Sequence, residues 1–361
     1  MLRSLKLKAY TLRQYIAGIK TYINYSKALE KGVSKKSIFI DIQSNVYNRY
    51  LYTLLKFLKL EGFTIYLPKK FSLVNQISKE LYASYILKDK LVIFKDLVNI
   101  KERSNLITIG RDVLSANYFE SLLKQQQKRK SYYIPISQHP ALYYKNLWNI
   151  PIDRSQERIN SILLLGNFDK QLYSKISHDG VFNILSRIEV LNVIENTCLN
   201  TEVHGLEDLN IYLAKSPNSE VVIIKSNEKG IPAEALRSTL VKFNYFFAVP
   251  GVVMPFSHNI VEAMSVGCIP ILQDTYAQLF SPPLKHHINA LIFKDKDDLS
   301  DLISYAFNLS ENEIAILRKN VDDYYSHYLT PHAVVSMLLR DKHEHVFLQA
   351  EHHSVNLVKK M

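Results

Sequence analysis

Short apolar runs alternate with amphipathic stretches along the chain from residue 37 onward. Ser37–Ile42 has the composition of a buried parallel strand, and the stretch from about Val46 to Leu60, closed by Gly62, predicts a helix. Further strands are predicted at Phe63–Leu67, Lys90–Phe94, Leu106–Ile109 and Ser131–Ile136. Between the last two, Gly110-Arg111-Asp112 is expected to open a helix that runs to about Lys124. This alternation predicts a parallel sheet with helices on both faces.

A second block of the same kind follows Pro151. Its strongest predicted strand, Ser161–Leu165, ends in Gly166-Asn167. The other expected elements are strands at Glu189–Ile194, Glu220–Ile224, Phe246–Val249 and Ile269–Leu272, a helix at Ala233–Phe243 and helices over Leu299–Leu339. The predicted fold class is therefore α/β, with two Rossmann-like domains that each contain a doubly wound parallel sheet. The expected boundaries are 1–36 for a basic segment, 37–152 and 153–340 for the two domains, and 341–361 for a polar tail.

The segment Phe246–Asp274 has a pattern that suits a phosphate-containing ligand. It reads as a strand, a Pro-Gly turn, a polar loop, a short helix and a second strand. At a strand-to-helix turn, backbone N–H groups and the positive end of the helix dipole point outward. Glu262 lies on the predicted helix, where an ionised carboxylate suits a bidentate grip on ribose hydroxyls. The pattern predicts a nucleotide site.

This segment resembles the donor-binding segment of GT-B glycosyltransferases, and within that superfamily it is most similar to the exostosin-like family. The shared elements are Pro250-Gly251, Ser257, Glu262-Ala263, Gly267-Cys268-Ile269-Pro270 and Asp274. A large GT-B group has a Glu-x7-Glu motif, but Met254 stands where its first Glu would be, which argues against close membership of that group. The resemblance implies two Rossmann-like domains with a central cleft and a nucleotide-sugar donor.

The resemblance and the side-chain chemistry together indicate donor-binding residues. Gly251 allows a close approach of the backbone to the donor and tolerates a positive φ, and the polar loop offers donors for the diphosphate. Two basic residues near the ends of predicted elements, Lys225 and Arg237, are candidate diphosphate contacts or, alternatively, surface charges. The expected donor-binding set is Gly166, Asn167, Lys225, Arg237, Pro250, Gly251, Ser257, His258, Asn259 and Glu262.

Two residues of the first block are candidates for a catalytic base. His139 has an unperturbed pKa suited to proton abstraction near neutrality, and Asp112 follows a predicted strand. Each also has a structural interpretation. His139 precedes a proline and is equally compatible with shaping a turn, while Asp112 is compatible with a helix N-cap.

The net charge of +11 is concentrated at the beginning of the chain. Residues 1–36 contain nine Lys and Arg residues against one acid, Glu30. Tyr15, Ile16, Ile19, Tyr22 and Ile23 recur at helical spacing in this segment, so an amphipathic helix is expected. Such a helix suits an anionic membrane surface or packs on its own domain. The segment has no nucleic-acid-binding motif, so a nucleic-acid partner is not expected.

Metal and cysteine chemistry receive little support from the sequence. One Asp-x-Asp triplet, Asp295-Lys296-Asp297, lies in the same polar run as the pair Asp297-Asp298, and Asp322-Asp323 is also a polar pair. The pair His286-His287 lacks a third ligand at a suitable spacing, so no metal and no cofactor are expected. The two cysteines are far apart in apolar surroundings, which fits a reducing cytoplasm.

These observations predict a cytoplasmic, metal-independent glycosyltransferase of hexosyltransferase type. It would move a sugar from a nucleotide diphosphate sugar to a hydroxyl of a surface polysaccharide, a lipid-linked glycan or lipopolysaccharide, with a possible place at the inner face of the membrane. Two alternatives remain open: an inactive relative that binds glycans or acts as a scaffold, and a nucleotide-sugar epimerase of the same architecture. A dinucleotide oxidoreductase is not expected, because no Gly-x-Gly-x-x-Gly follows a predicted strand.

Overall fold

The computed structural model of the protein describes residues 16, 18–25, 36–103, 105–123, 130–173, 176, 180–215 and 218–360. The chain divides into two units, and it passes between them several times. The first unit comprises Met1–Tyr118, Gln127–Ile134 and Val334–Ala350; the second comprises Phe119–Gln126, Pro135–Ala333 and Glu351–Met361. Residues 135–152, expected in the first block, therefore belong to the second unit, and the segment beyond residue 340 contributes to both.

The elements are numbered in chain order. Up to residue 133 they are β1 (Ser37–Ile40), α1 (Asn48–Leu60), β2 (Thr64–Leu67), α2 (Phe71–Lys79), α3 (Tyr85–Lys88), β3 (Val92–Phe94), β4 (Leu106–Ile109), β5 (Leu114–Ser115), α4 (Tyr118–Leu123) and β6 (Ser131–Tyr133). From there to residue 247 they are α5 (Pro140–Tyr144), β7 (Ile159–Gly166), α6 (Lys170–Tyr173), α7 (Arg187–Thr197), β8 (Asn200–Glu202), α8 (Gly205–Leu213), β9 (Val221–Lys225), α9 (Ser226–Lys229), α10 (Ala233–Leu240) and β10 (Phe243–Phe247). The remaining elements are α11 (His258–Met264), β11 (Ile269–Gln273), α12 (Asp274–Ala277), β12 (Leu291–Phe293), α13 (Lys296–Phe307), α14 (Glu311–Tyr324), α15 (Pro331–Arg340), β13 (His345–Phe347) and α16 (His352–Lys359).

The first unit contains two parallel sheets. Its larger sheet has the order β3-β2-β1-β4, and its smaller one has the order β5-β13-β6. All strand pairs in both sheets are parallel. Strand β1 is buried along its whole length, as the continuous apolar run predicts. The small sheet was not expected, because its central strand β13 comes from the end of the chain, more than 200 residues after β6.

The second unit is built on one parallel sheet of six strands. The strand order is β12-β11-β10-β7-β9-β8, and each neighbouring pair is parallel. Strands that follow β7 extend the sheet in one direction, and strands that follow β10 extend it in the other. Because β-α-β crossovers are right-handed, the two directions place their helices on opposite faces of the sheet. The α/β class with doubly wound parallel sheets is confirmed.

Two predicted elements are wrong. Glu189–Ile194, expected to be a strand, lies in helix α7, because Ser186 and Glu189 form a capping box: the Ser186 hydroxyl accepts from the Glu189 N–H at 3.2 Å, and the Glu189 carboxylate accepts from the Ser186 N–H at 2.7 Å. The helix expected to open at Gly110 begins only at Tyr118, because the chain first turns and forms β5.

The basic N-terminal segment is described only in part. Residues 18–25 are helical, as expected, but Tyr15 and most of the basic residues of 1–36 lie outside the described residues. No described helix has the length and apolar character needed to cross a membrane.

Candidate nucleotide-binding site

The strand order of the second unit defines a crevice at the carboxyl ends of β7 and β10. These neighbouring strands are the point at which the chain changes direction across the sheet. In open α/β sheets, ligands bind outside the carboxyl ends of the strands at this switch point. Gly166 ends β7 there, and Pro250-Gly251 follows β10. Topology thus brings together two of the sequence-predicted segments.

Arg187, the first residue of α7, joins these two segments. Its Nε donates to the carbonyl oxygen of Pro250 at 2.6 Å, and its Nη1 donates to the carbonyl oxygen of Asn167 at 3.3 Å. Its Nη2 donates to the Ser257 hydroxyl at 3.2 Å. A guanidinium has five N–H donors. These three bonds leave one N–H on each terminal nitrogen, the paired arrangement that binds phosphate oxygens in a bidentate manner.

The environment of Arg187 is buried and lacks a negative charge. The side chain is 7% exposed, and its guanidinium lies over the ring of Tyr173 at 4.9 Å. It contacts two carbonyls, a hydroxyl and an aromatic ring, and among the described residues no carboxylate pairs with it. Burial lowers the pKa of Arg187, but from so high a value that the group stays charged. A buried cation with only neutral partners is expected to bind an anion.

Gly166 makes room for this guanidinium. A Cβ on Gly166 would lie 3.0 Å from Arg187 Nη1 and 3.5 Å from the Phe168 ring. The sequence singled out Gly166 and Asn167 but missed Arg187, although a signal was present. The capping pattern from Ser186 to Glu189 marks a helix start, and Arg187 is the first residue of that helix.

The loop between β10 and α11 is held by one backbone bond within the loop and by the side chain of Tyr276. Gly251 N donates to the carbonyl oxygen of Pro255 at 2.9 Å, and Ser257 N donates to the Tyr276 hydroxyl at 2.9 Å. Gly251 has no positive φ, so the tolerance of glycine for that region is not used here. The structure gives it a steric reason instead, since a Cβ there would lie 2.7 Å from the carbonyl oxygen of Met254 and 2.8 Å from that of Phe256.

Asn259 and Glu262, both on α11, are engaged within the second unit. Asn259 Nδ2 donates to the carbonyl oxygen of Leu165 at 3.2 Å and so ties α11 to the end of β7. Glu262 is 4% exposed, and its Oε1 accepts from the backbone N–H of His139 at 2.9 Å. Burial raises the pKa of Glu262 to about 7, an effect that the His139 hydrogen bond partly offsets. The bond from His139 occupies one of the roughly four lone-pair sites of the carboxylate, so both oxygens can still accept from a ribose hydroxyl.

His139 and His258 lie together with their rings 5.4 Å apart and nearly perpendicular. His139 caps α5, where its Nδ1 accepts from the Ala141 N–H at 3.2 Å, so neutral His139 carries its proton on Nε2. His258 Nδ1 lies 2.7 Å from the carbonyl oxygen of Ser137, which only accepts. Neutral His258 therefore has its acceptor lone pair on Nε2. Of the two histidines, these bonds give His258 the tautomer suited to a general base.

Three other predicted site residues are not among the contacts of Arg187. Two of them are held by partners of their own, although Lys225 pairs in register with Gly166 in the sheet, and the third belongs to the first unit. Lys225 Nζ is paired with Glu202 at 2.7 Å and with Glu195 at 3.4 Å. Arg237 bonds Ser265, at the opposite end of α11 from Ser257, and donates to the Ile150 carbonyl oxygen at 2.7 Å. Asp112 is an exposed turn residue of the first unit, not a helix N-cap.

One cluster of described residues has the spacing of metal ligands. Ligand atoms of Glu202, His204 and Glu228 lie within 4.8 Å of one another, and all three side chains are exposed. The Lys225 ammonium already lies 2.7 Å from Glu202. His286 and His287 lie in a loop, as expected. His286 Nδ1 accepts from the Ile292 N–H at 2.9 Å, and His287 Nδ1 is hydrogen-bonded with the Tyr305 hydroxyl at 3.1 Å. Metal independence stays a prediction.

Comparison with known proteins yields structural neighbours only. No protein-family model and no curated protein matches the chain. Solved structures with a similar fold include HepE of Anabaena in complex with UDP, at 13% identity and a TM-score of 0.42, covering 84% of this chain and 98% of HepE. A glycosyltransferase of Rickettsia africae is similar at 12% identity and a TM-score of 0.45, with 85% of this chain and 97% of that chain covered. WaaG, a glycosyltransferase involved in lipopolysaccharide biosynthesis, has 13% identity and a TM-score of 0.35, with 84% and 100% covered. A likeness at these identities and TM-scores does not indicate what this chain binds.

Proposed function

We propose that the protein is a glycosyltransferase that moves a hexosyl group from a nucleoside diphosphate sugar to a hydroxyl acceptor without a metal ion. The proposal includes the exostosin-like type, a cytoplasmic location and an acceptor in surface polysaccharide, lipid-linked glycan or lipopolysaccharide synthesis. The sequence motif at Pro250–Asp274 supports the exostosin-like type, and the two distant cysteines support the cytoplasmic location. The basic N-terminal segment supports an acceptor that is handled at a membrane.

Arg187 is the observation that carries the proposal. Its buried guanidinium, with neutral partners only, lies at the switch point of a parallel sheet, next to a loop whose sequence resembles a donor-binding segment. A diphosphate provides the charge that this guanidinium lacks and accepts bonds from its two remaining N–H groups. The Ser257 hydroxyl accepts a hydrogen bond from this guanidinium, and Gly166 lies directly beside it.

The chemistry follows from this position. Transfer breaks the bond between the anomeric carbon and a β-phosphate oxygen, and forms a bond between that carbon and the acceptor oxygen. Negative charge grows on the leaving diphosphate, and a preorganised cation in a dry site stabilises it. The acceptor hydroxyl must also lose a proton. We assign this role to His258 Nε2, since Ser257, the preceding residue, contacts Arg187. Glu262 would then bind ribose through the oxygen that His139 does not use.

A thermal-shift panel of UDP, GDP, ADP, CMP and their sugar conjugates tests this proposal. We expect one nucleotide to raise the Tm of the wild-type protein, because a ligand that binds only the folded state stabilises it. Arg187→Met should weaken that binding roughly 10- to 100-fold, the effect of losing charged hydrogen bonds. Arg187→Lys should recover part of it, because it restores the charge without the planar fork.

Arg158→Met is the matched control. Arg158 is also largely buried in the second unit and also donates to two backbone carbonyls, those of Phe243 and Val266, at 3.2 and 2.6 Å. These carbonyls belong to the amino-terminal edge of the sheet, away from the proposed site. Arg158→Met should lower Tm but retain the nucleotide shift. The proposal fails if no nucleotide shifts the wild-type Tm, or if the two Met variants bind nucleotide equally. Release of free sugar from the donor without any acceptor would favour an epimerase instead.

A further inference from the structure

The helical segment 18–25 packs through one of its faces on α2 and α3 of the same unit. Gly18 lies so close to α2 that a Cβ there would be 2.5 Å from Asn75 Oδ1. The Tyr22 ring meets the Phe71 ring edge-on at 5.8 Å, and the Tyr25 hydroxyl donates to the Leu87 carbonyl oxygen at 2.6 Å. Positions 18, 22 and 25 follow helical spacing. This face fixes the helix against α2 and α3.

The opposite face of the same helix is apolar and exposed. Ile16, Ile19 and Ile23 are 45%, 36% and 44% exposed. The spacings of three and four residues place these isoleucines in one row, and at 100° per residue the row lies away from positions 18, 22 and 25. Tyr22, which the sequence grouped with the isoleucines, belongs to the packed face instead. A row of exposed isoleucines on an anchored helix marks an interaction surface.

The charge around this row is positive. Lys20 is exposed and shares the face of the isoleucines, and the whole segment 1–36 has nine basic residues against one acid. Exposed Lys70, directly before α2, and exposed Lys79 and Lys88, at the ends of α2 and α3, continue the excess against one exposed acid, Glu80. Asp89, close by, is neutralised by Lys56 at 2.9 Å.

We infer that this face, defined as Ile16, Ile19, Lys20 and Ile23, docks on a membrane surface that contains anionic lipids. Burial of aliphatic side chains at the boundary of the acyl chains favours membrane binding, and attraction between lysines and anionic headgroups adds to it. A nucleic acid or an acidic protein would satisfy the lysines but would give three isoleucines no apolar partner. All residues involved lie in the first unit, so the inference is independent of the donor site.

Vesicle co-sedimentation of the full chain tests the inference, with phosphatidylcholine vesicles and with vesicles that also contain phosphatidylglycerol. The variant is the triple substitution Ile16→Ser, Ile19→Ser and Ile23→Ser, which leaves the charge unchanged and costs little helix propensity. The control is the triple substitution Leu172→Ser, Ile211→Ser and Ile316→Ser, at residues of the second unit that are 47%, 61% and 60% exposed.

We expect the wild-type protein to sediment with the anionic vesicles more than with the neutral ones, and less as salt is raised. The isoleucine variant should lose binding to anionic vesicles roughly tenfold or more, because the apolar contribution is gone. The control should bind as the wild type does. The inference is overturned if the wild-type protein does not sediment with anionic vesicles, or if the isoleucine variant sediments as well as the control. The nucleotide-induced rise in Tm, measured on the same variants, should not change, so failure of one proposal leaves the other intact.

Discussion

Glu262→Gln is expected to make the protein more stable above neutral pH. The carboxyl group of Glu262 is 4% exposed, and its identified hydrogen-bond donor is the His139 N–H. Burial raises its pKa from the ordinary 4.5 to about 7. The folded chain therefore holds this proton up to a higher pH than the unfolded chain does, and stability falls as pH rises from about 4.5 to about 7.

The magnitude follows from the two pKa values. At 1.36 kcal/mol for each tenfold change in the ionisation constant, ionisation of Glu262 costs the folded state up to about 3 kcal/mol above pH 7. Glutamine keeps an oxygen that accepts the His139 N–H but has no ionisation to oppose folding. The Gln variant should gain most of this free energy at pH 8 and little at pH 5. For a unit of this size, the gain corresponds to a rise in Tm of roughly 5–10 °C at the higher pH.

Urea unfolding and thermal melts of both proteins across this pH range measure the difference. Glu234→Gln is the control, because Glu234 is exposed and its pKa is lowered by a hydrogen bond from its own backbone N–H and, next, by its ion pair with Lys145. This substitution should therefore give no gain at pH 8. The reasoning is refuted if Glu262→Gln changes stability equally at pH 5 and pH 8, or if it destabilises the protein at pH 8. A gain at pH 8 would also show that an ionisable group is kept here at a cost in stability, as is common at functional sites.

Four further outcomes are expected. Gly251→Ala should destabilise the protein by about 1–3 kcal/mol and abolish the nucleotide-induced rise in Tm, since its Cβ would meet two loop carbonyls; Gly267→Ala, at φ +78, should cost stability without affecting nucleotide binding. Lys225→Met should leave nucleotide binding within about twofold, because Lys225 is paired with Glu202; a larger loss, measured by titration, would restore it to the donor site. In the native protein a thiol reagent should modify Cys198 and spare Cys268, whose pKa burial raises to about 12; mass spectrometry of labelled peptides distinguishes the two. Transfer activity should survive EDTA, and recovery of activity only on adding Mn²⁺ or Mg²⁺ would contradict the metal-independent proposal.

The local pattern of residues determined the class of the fold and one half of the candidate site. Apolar runs such as Ser161–Leu165 are strands because a parallel strand buried on both faces has no polar side to show. The strand, loop and helix up to Met264 were likewise readable, because each element has its own short-range signal. The strand begins at Phe243, however, which was expected to end the preceding helix. Gly166 and Ser257 could be selected in this way, since they lie at the ends of such elements.

Only the tertiary structure decided which side chains meet at that site. Arg187 reaches Pro250 across 63 positions, and the His139 N–H reaches Glu262 across 123. The same folding pairs Lys225 with Glu202 and directs Arg237 to Ser265, although both residues carry the charge that a diphosphate site needs. In the N-terminal helix, too, only the tertiary structure decided which apolar side chains are packed: Tyr22 packs on Phe71, while Ile19 is left exposed. Hydrophobic periodicity predicts the local secondary structure of each segment. The partner of a charged side chain depends instead on strand order and crossover direction. Those properties belong to the assembled sheet.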